Sequence, residues 1–209
     1  LTDRPLRPLF PKDLRNEVQI IITVLSVDGT HQPDILAIVG ASTALTISDI
    51  PFGVAPYDGP IGAVRVGLID GDFVINPTFE QMETSTLDLR LAGTRDAILM
   101  VECGAKEVPE DTMVEALALG HEALQPLIDL QGQMAQEVGK PKRADYPSVA
   151  IDSAVQEEVV AKMSGQVASA VRDNVEKFAR DEALDALKDD LLAAFSERED
   201  VEIGDVKAA

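Results

Sequence analysis

Apolar and polar positions alternate most clearly in the middle of the chain. The segment Leu87–Leu91 places leucine at every second position, which predicts a β-strand with one buried face. A polar turn at Gly93–Asp96 follows, and the apolar run Ala97–Val101 then predicts a central strand buried on both faces. Apolar residues next recur at helical spacing from Met113 to Met134, after a proline and two acids that favour a helix start. The pattern predicts a hairpin covered by one long amphipathic helix.

Upstream of this hairpin the pattern predicts a strand, a helix and a second hairpin. Glu17–Asp28 is largely apolar and rich in β-branched residues, which predicts a strand. Asp34–Ser48 predicts a helix whose first residue is the N-cap and whose small residues allow close packing on a sheet. Residues 63–69 and 73–75 flank the Asp70-Gly71 dipeptide, which is typical of a tight hairpin turn.

The mixed pattern gives way to a helical one at Gly139–Pro147, where glycine, proline and charged residues cluster. Beyond this segment, Asp152–Phe195 carries apolar residues at helical spacing and predicts two or three helices, with weak points at Gly165 and Asn174. The charged tail Ser196–Ala209 is predicted to be frayed. The predicted fold class is therefore α+β. A mixed sheet with covering helices occupies residues 1–145, and a small all-α domain occupies residues 146–209.

Composition restricts the partners that the chain can bind. The net charge of −19 argues against a broadly basic nucleic-acid surface, because Lys and Arg are needed to neutralise phosphates. No apolar run reaches the length of about 18 residues that a membrane span needs, so no membrane association is predicted. Cys103 is the single cysteine, and it is predicted to be a structural thiol at the end of a buried strand in a reducing compartment.

The sequence contains no complete catalytic or metal-binding pattern. His121-Glu122 begins like a zinc-binding helix motif, but Gln125 stands where the second histidine would be. His31 lies in a polar turn without the nearby serine, cysteine or aspartate arrangement of a triad. The glycines do not match the spacings of dinucleotide-binding or phosphate-binding loops. The sequence therefore predicts no catalytic residue and no metal ligand in this chain.

One locally basic segment, Leu1–Arg15, stands out from the acidic chain. Arg4 and Arg7 are three residues apart, so a helical turn would project them from neighbouring positions on one face. Two adjacent guanidinium groups suit phosphodiester oxygens, which makes these two arginines the candidate RNA-binding or phosphate-binding residues. The alternative is that they are surface arginines paired with Asp3 and Asp13.

Several blocks of sequence, in this order and spacing, resemble the bacterial polynucleotide phosphorylase (polyribonucleotide nucleotidyltransferase) family. The blocks are DRPLRPLFP, NEVQIIITVLSVD, GASTALTISDIPF, GPIGAVRVGLIDGDFVINPT and LDLRLAGTRDAILMVECGAKEVPEDTM, followed by GHEALQPLI and GKPK. The resemblance covers about residues 1–145 and corresponds to the second part of the family's first ribonuclease-PH-like core domain. The helical remainder matches the family's all-α segment by position. The loop Phe52–Gly59 departs from the family pattern, because it is longer than the usual connection.

The resemblance implies a segment of a 3′–5′ phosphorolytic exoribonuclease that releases nucleoside diphosphates and also runs in reverse as a polymerase. Inorganic phosphate would be the co-substrate, and Mg²⁺ would be bound outside this segment, mainly in a second core. The segment alone would then be inactive. The family's arginine in the DRP block is Arg4 here, and that residue is expected close to the active-site crevice and the RNA path.

The same resemblance implies RNA as a partner, a homotrimer, a cytoplasmic location and association with an RNA-degradation complex. The residues alone leave a different class of function open. A non-catalytic acidic scaffold or protein-interaction module would also have this charge and no catalytic constellation.

Overall fold

A computed structural model describes residues 1–54, 59–147, 152–196, 198, 200–201 and 203–208 of the 209-residue chain. The chain divides into two compact units, Leu1–Ser148 and Val149–Ala209. The first unit combines a β-sheet with helices, and the described residues of the second form helices and their connections. The α+β fold class with a following helical part is confirmed. Residues 55–58 of the longer loop and residue 148 near the predicted domain boundary lie outside the described residues.

A four-stranded antiparallel sheet with the order β2-β1-β3-β4 forms the centre of the first unit. The strands are β1 (Gly62–Ile69), β2 (Asp72–Ile75), β3 (Leu87–Gly93) and β4 (Ile98–Ala105). The tight turn between β1 and β2 is the predicted one, with φ of 52° at Asp70 and 92° at Gly71, values that aspartate and glycine tolerate. All pairings within the described sheet are antiparallel, where the sequence predicts a mixed sheet.

Helices cover both faces of this sheet. They are α1 (Asp3–Leu6), α2 (Asp34–Ile47), α3 (Phe79–Thr84), α4 (Glu110–Ala123) and α5 (Gln125–Val138), with a 3₁₀ turn at Arg7–Leu9. The leucines of β3 point to one face and pack with α4 and α5 in a cluster formed by Val64, Val66, Leu87, Leu89, Leu91, Ala116, Leu124 and Ile128. The opposite face packs with α1 and α2 through a second cluster that includes Leu6, Leu9, Ile38, Ala63, Ala92 and Met100.

A glycine in α4 allows this helix to approach the sheet closely. A Cβ at Gly120 would lie 3.0 Å from Cδ2 of Leu91 and 3.2 Å from Cγ2 of Val66. Such contacts are tighter than ordinary van der Waals packing, so a larger residue would push α4 away from the strands. The glycine of the GHEA block therefore has a packing role.

The strand predicted at Ala97–Val101 is present as β4, but its predicted central position is wrong, because β4 is an edge strand of the described sheet. Val101 is 42% exposed and Ile98 39% exposed, so the strand is not buried on both faces. Cys103 also lies exposed on this strand, which corrects the predicted burial of its thiol. A short apolar run fits either a central or an edge strand, and only the order of strands in the sheet distinguishes them.

The predicted single long helix is two helices that meet at Leu124. Pro126 is the second residue of α5, and proline has no N–H to donate to the carbonyl four residues earlier. In a continuous helix its ring would also clash with that carbonyl, which belongs to Glu122 near the end of α4. The proline therefore ends one helix and begins the next.

The predicted strand Glu17–Asp28 is also wrong. These residues form neither a helix nor a strand, and their apolar side chains are largely exposed, as Ile21 at 77% and Leu25 at 92% show. A high β-propensity describes how well side chains fit a pleated, half-buried surface. This segment pairs with no strand in the part of the chain that the structure describes, so its side chains have no pleated sheet surface on which to pack.

The second unit contains α6 (Ser153–Asp173), α7 (Lys177–Ser196) and α8 (Ile203–Ala208). Asn174 lies at the C-cap of α6, where the sequence predicts a break, whereas Gly165 is accommodated inside that helix. The predicted frayed tail is wrong for Ile203–Ala208, because Val206 is buried against Val155, Val159 and Phe195. Val201 and Ile203 pack against the same cluster, so a few apolar side chains dock this short charged segment.

Candidate functional site

Arg4 lies in α1, near the start of the chain. Pro5, Leu6 and Leu9 are buried and anchor this segment on the sheet, while Arg4 remains exposed. Nη2 of Arg4 lies 3.0 Å from Oε1 of Glu102 on β4, and the two side chains are 56% and 43% exposed. The partner of Arg4 is therefore a carboxylate on the edge strand, and neither Asp3 nor Asp13, the two partners that the sequence suggests, forms that pair.

Arg7 has the local partner that the sequence offers as the alternative. Its Nε and Nη2 donate to Oδ2 of Asp3 over 3.1 and 2.7 Å, and both side chains are well exposed. The hydrogen bond and the charge of Asp3 raise the pKa of the Arg7 guanidinium. The structure thus gives Arg4 and Arg7 separate acidic partners, and it does not bring the two guanidinium groups onto one ligand. Asp13 instead accepts a hydrogen bond of 3.4 Å from the hydroxyl of Tyr146.

These exposed pairs leave both arginines available for a stronger anion. Ion pairs between exposed side chains contribute about 0–1 kcal/mol, because water and salt screen them. A phosphodiester that forms charge-assisted hydrogen bonds with a guanidinium gains more than that. The geometry therefore permits phosphate contacts at Arg4 and Arg7, and their assignment as RNA-binding residues stays a prediction.

The sheet face next to Arg4 carries a row of ionised side chains that the sequence did not reveal. Arg65 on β1, Arg90 on β3 and Glu102 on β4 lie opposite one another across the strands. Nη2 of Arg65 lies 2.6 Å from Oδ2 of Asp34, and Nη2 of Arg90 lies 2.7 Å from Oδ2 of Asp88. Two longer contacts of 3.4 Å, Arg65 to Asp88 and Arg90 to Asp34, close a four-residue ion cluster.

This ion cluster is partly withdrawn from water. Arg65 is only 2% exposed, and the other three side chains are 23–30% exposed. A buried guanidinium needs its carboxylate partners, because an unpaired buried charge is strongly destabilising. The signal in the sequence was an arginine inside the apolar run AVRVGLI, together with charges at every second position of β3.

Asp34 has a different local role from the predicted N-cap. Pro33 occupies the cap of α2, and Oδ1 of Asp34 accepts a hydrogen bond of 2.9 Å from the N–H of Ile35. The other carboxylate oxygen of Asp34 contacts Arg65. The first residue of α2 therefore ties the helix to the sheet through an ion pair.

His31 has an aspartate neighbour that the sequence did not suggest. Its Nδ1 lies 3.0 Å from Oδ2 of Asp28, whose other oxygen accepts hydrogen bonds from the N–H groups of Thr30 and His31. These hydrogen bonds hold the pKa of the Asp28 carboxyl well below its usual range. Within the described residues no serine or cysteine is hydrogen-bonded to His31, so the pair lacks the nucleophile of a triad.

The surroundings of His121 and Cys103 indicate structural roles for both residues. Nε2 of His121 lies 3.0 Å from the carbonyl oxygen of Thr94, in the turn between β3 and β4. Cys103 is exposed, but neighbouring atoms desolvate its thiol in part, and this desolvation, together with the charge of Asp88, raises the pKa of the thiol and disfavours its reactive thiolate form. No group of three or more His, Cys, Asp or Glu side chains with metal-binding geometry occurs among the described residues.

Across the part of the chain that the structure describes, no helix combines the length and the apolar character that crossing a membrane requires.

Two domain models of one family match consecutive parts of the chain. Domain 1 of the 3′ exoribonuclease family matches residues 1–51, and domain 2 of the same family matches residues 59–123. The second match contains all four strands and α4. Arg4 lies in the first match, and its partner Glu102 lies in the second.

Bacterial proteins named polyribonucleotide nucleotidyltransferase are similar along nearly the whole chain. The protein of Halothermothrix orenii is 50% identical over 197 residues, which is 94% of this chain and 27% of the relative. The protein of Dehalococcoides mccartyi strain BAV1 is 48% identical over 94% of this chain and 26% of the relative. That of Halalkalibacterium halodurans is 48% identical over 99% of this chain and 28% of the relative.

The chain thus spans about a quarter of the length of these curated relatives. Their names confirm the resemblance that the sequence blocks indicate. Because the two domain models together match more than half of the 209 residues, the chain belongs to the 3′ exoribonuclease family.

Proposed function

We propose that this chain is part of a 3′–5′ phosphorolytic exoribonuclease. The longer protein would use inorganic phosphate to remove nucleotides from RNA 3′ ends as nucleoside diphosphates, and would run in reverse as a polymerase. The observation that carries this proposal is the identity of 48–50% to proteins named polyribonucleotide nucleotidyltransferase along 94% of the chain. Phosphate-dependent release of nucleoside diphosphate from poly(A) by the full-length protein tests it.

Within that protein, the chain would supply scaffold and RNA contacts, and the chemistry would take place elsewhere. Mg²⁺ prefers several carboxylate oxygens and waters in octahedral geometry. The acids at this face of the sheet are Asp34 of α2, Asp88 of β3 and Glu102 of β4. Each contacts an arginine, so this donor set does not fit a divalent metal. We place the Mg²⁺ site, the phosphate site and the catalytic groups outside this chain, and phosphoryl transfer there would depend on positioning and electrostatic stabilisation.

Arg4 is the residue that we expect to contact the RNA backbone, with Arg7 as a second contact. The chain carries a net charge of −19, but repulsion between exposed charges fades beyond about 8–10 Å at physiological salt. An exposed guanidinium can therefore bind a phosphate while distant acids have little effect on it. The match of the DRP block to the family sequence supports the same residue.

Replacing Arg4 by alanine in the full-length protein is expected to weaken RNA binding or slow phosphorolysis by about 10- to 100-fold. The loss of one charge-assisted hydrogen bond, at about 1.5–3 kcal/mol, accounts for this range. The dependence of binding on salt should also become shallower, because one phosphate contact is lost. Phosphorolysis of poly(A), measured at two salt concentrations, checks both expectations.

Arg143 provides a matched control for this substitution. It forms an ion pair of 2.9 Å with Asp49, and the two side chains are 52% and 43% exposed, close to the values for Arg4 and Glu102. Arg143→Ala should leave RNA binding and the salt dependence unchanged. If Arg4→Ala behaves like Arg143→Ala, Arg4 is a surface arginine and its proposed RNA contact is refuted.

The resemblance also supports a homotrimer located in the cytoplasm and associated with an RNA-degradation complex, and we include these features in the proposal. Analytical ultracentrifugation of the full-length protein tests the trimer. The competing function is a non-catalytic acidic scaffold, which the net charge of −19 favours. A full-length protein that binds protein partners and shows no phosphate-dependent release of nucleotides would support the scaffold.

A further inference from the structure

The ion pair between Arg4 and Glu102 joins the proposed RNA contact to the sheet. Glu102 lies on β4 and is paired in register with Arg90 of β3, which fixes its backbone and the face to which it points. Arg4 lies on a single helical turn, and its long side chain reaches across to this strand. The carboxylate of Glu102 is thus attached to the more rigid of the two elements.

Glu102 is available to pair with Arg4, because Arg90, its cross-strand neighbour, contacts other carboxylates. Arg90 contacts Asp88 over 2.7 Å and Asp34 over 3.4 Å. Among the described residues, the ion pair of Glu102 is the one with Arg4. The negative charge of Glu102 therefore acts on Arg4 and is not neutralised within the buried cluster.

The pair holds the guanidinium without using its hydrogen-bond donors fully. Nη2 of Arg4 lies 3.0 Å from Oε1 of Glu102, so the ion pair engages one end of the guanidinium. A guanidinium has five N–H donors in a planar fork. Its other edge therefore remains available to a phosphate oxygen.

We propose that Glu102 is a positioning residue for RNA binding, and that it holds the guanidinium of Arg4 in the orientation that meets the RNA backbone. This inference rests on the proposed function of Arg4. A long, exposed arginine loses rotamer freedom when it binds, and a partner that restricts it beforehand reduces this loss. Glu102 would supply that restriction in the RNA-free protein.

Repulsion between Glu102 and the phosphate is the opposing effect. A phosphate bound at the far edge of the guanidinium is separated from the carboxylate by the width of that group. With a contact of about 3 Å on each side of the guanidinium, the two oxygens are roughly 8 Å apart, close to the screening length at physiological salt, and both the carboxylate and the phosphate would be exposed to water. We expect the gain from holding the guanidinium in place to exceed this repulsion. Removing the charge of the Glu102 carboxylate should therefore weaken RNA binding.

The test measures the dissociation constant of a fluorescent oligo(A) for the full-length protein by anisotropy, without phosphate. Glu102→Gln keeps the shape of the side chain and removes its charge, and we expect about three- to tenfold weaker binding. The same substitution in an Arg4→Ala background should have no effect, because Glu102 acts only through Arg4. In steady-state phosphorolysis the loss should appear in KM, with kcat and the denaturation midpoint unchanged.

Asp49→Asn is the control for a general change of charge, since Asp49 is the 43%-exposed partner of Arg143 and loses the same unit charge. It should leave the dissociation constant unchanged. Tighter binding by Glu102→Gln, or equal effects with and without Arg4, would overturn the positioning role. If Arg4→Ala itself has no effect on RNA binding, the proposed function of Arg4 fails first, and this result is distinct from a failure at Glu102 alone.

Discussion

Replacing Asp34 by alanine is expected to destabilise the chain by about 3–5 kcal/mol, the range for breaking a buried ion pair from one side. The substitution removes the 2.6 Å contact of Arg65 and leaves that 2%-exposed guanidinium with a single 3.4 Å contact to Asp88. It also removes the tie between the start of α2 and the sheet. Urea denaturation of the 209-residue chain, followed by circular dichroism, gives the free energy of unfolding.

A second substitution separates the charge effect from lost packing. Arg65→Met in the Asp34→Ala background should recover much of the loss, because the unpaired buried charge is then gone. Asp49→Ala, which breaks the exposed pair with Arg143, should cost at most about 1 kcal/mol. An equally small effect of Asp34→Ala would show that the ion cluster contributes no more than a surface pair.

Replacing Leu89 by alanine is expected to cost about 2–5 kcal/mol, the usual range for truncating a buried leucine. Leu89 is fully buried in the middle of β3, between β1 and β4, and belongs to the cluster beneath α4 and α5. The cavity left there would be lined by β-strands whose register is fixed on both sides, so the core has little freedom to collapse. The midpoint and slope of urea denaturation measure the loss.

Val101 is the matched control on the neighbouring strand. The sequence predicts burial at both positions, but Val101 is 42% exposed on the edge strand. Val101→Ala should therefore change the free energy of unfolding by about 0.5 kcal/mol or less. Similar losses for the two variants would contradict the order of strands in the sheet.

The elements that the sequence predicts correctly are those that short-range patterns determine. The Asp70-Gly71 turn fixes the β1–β2 hairpin, and the alternating leucines of β3 all point into one core cluster. The helix at residues 34–47 also follows from its own composition. In these cases, neighbours along the chain supply the interactions that decide the structure.

The elements that the sequence missed depend on neighbours in space. The exposure of β4 follows from its place at the edge of the sheet, and the segment 17–28 lacks a strand partner in the described residues. The break at Leu124 was readable from Pro126, whose effect on helices is local.

The same distinction applies to the candidate site. Arg4 was identified from its spacing and its block of sequence, whereas its partner Glu102 lies on a distant strand. The ion cluster of Arg65 similarly joins residues from one helix and two strands, so it becomes visible only once the register of the sheet is known.

We propose that this chain provides scaffold and RNA contacts within a phosphorolytic exoribonuclease whose chemistry lies elsewhere. The most direct measurement is the release of nucleoside diphosphate from poly(A), with inorganic phosphate and Mg²⁺, by the full-length protein and by the isolated 209-residue chain. We expect phosphate-dependent release of ADP by the full-length protein and none by the isolated chain. Release of ADP by the isolated chain, or no phosphate-dependent release by the full-length protein, would contradict it.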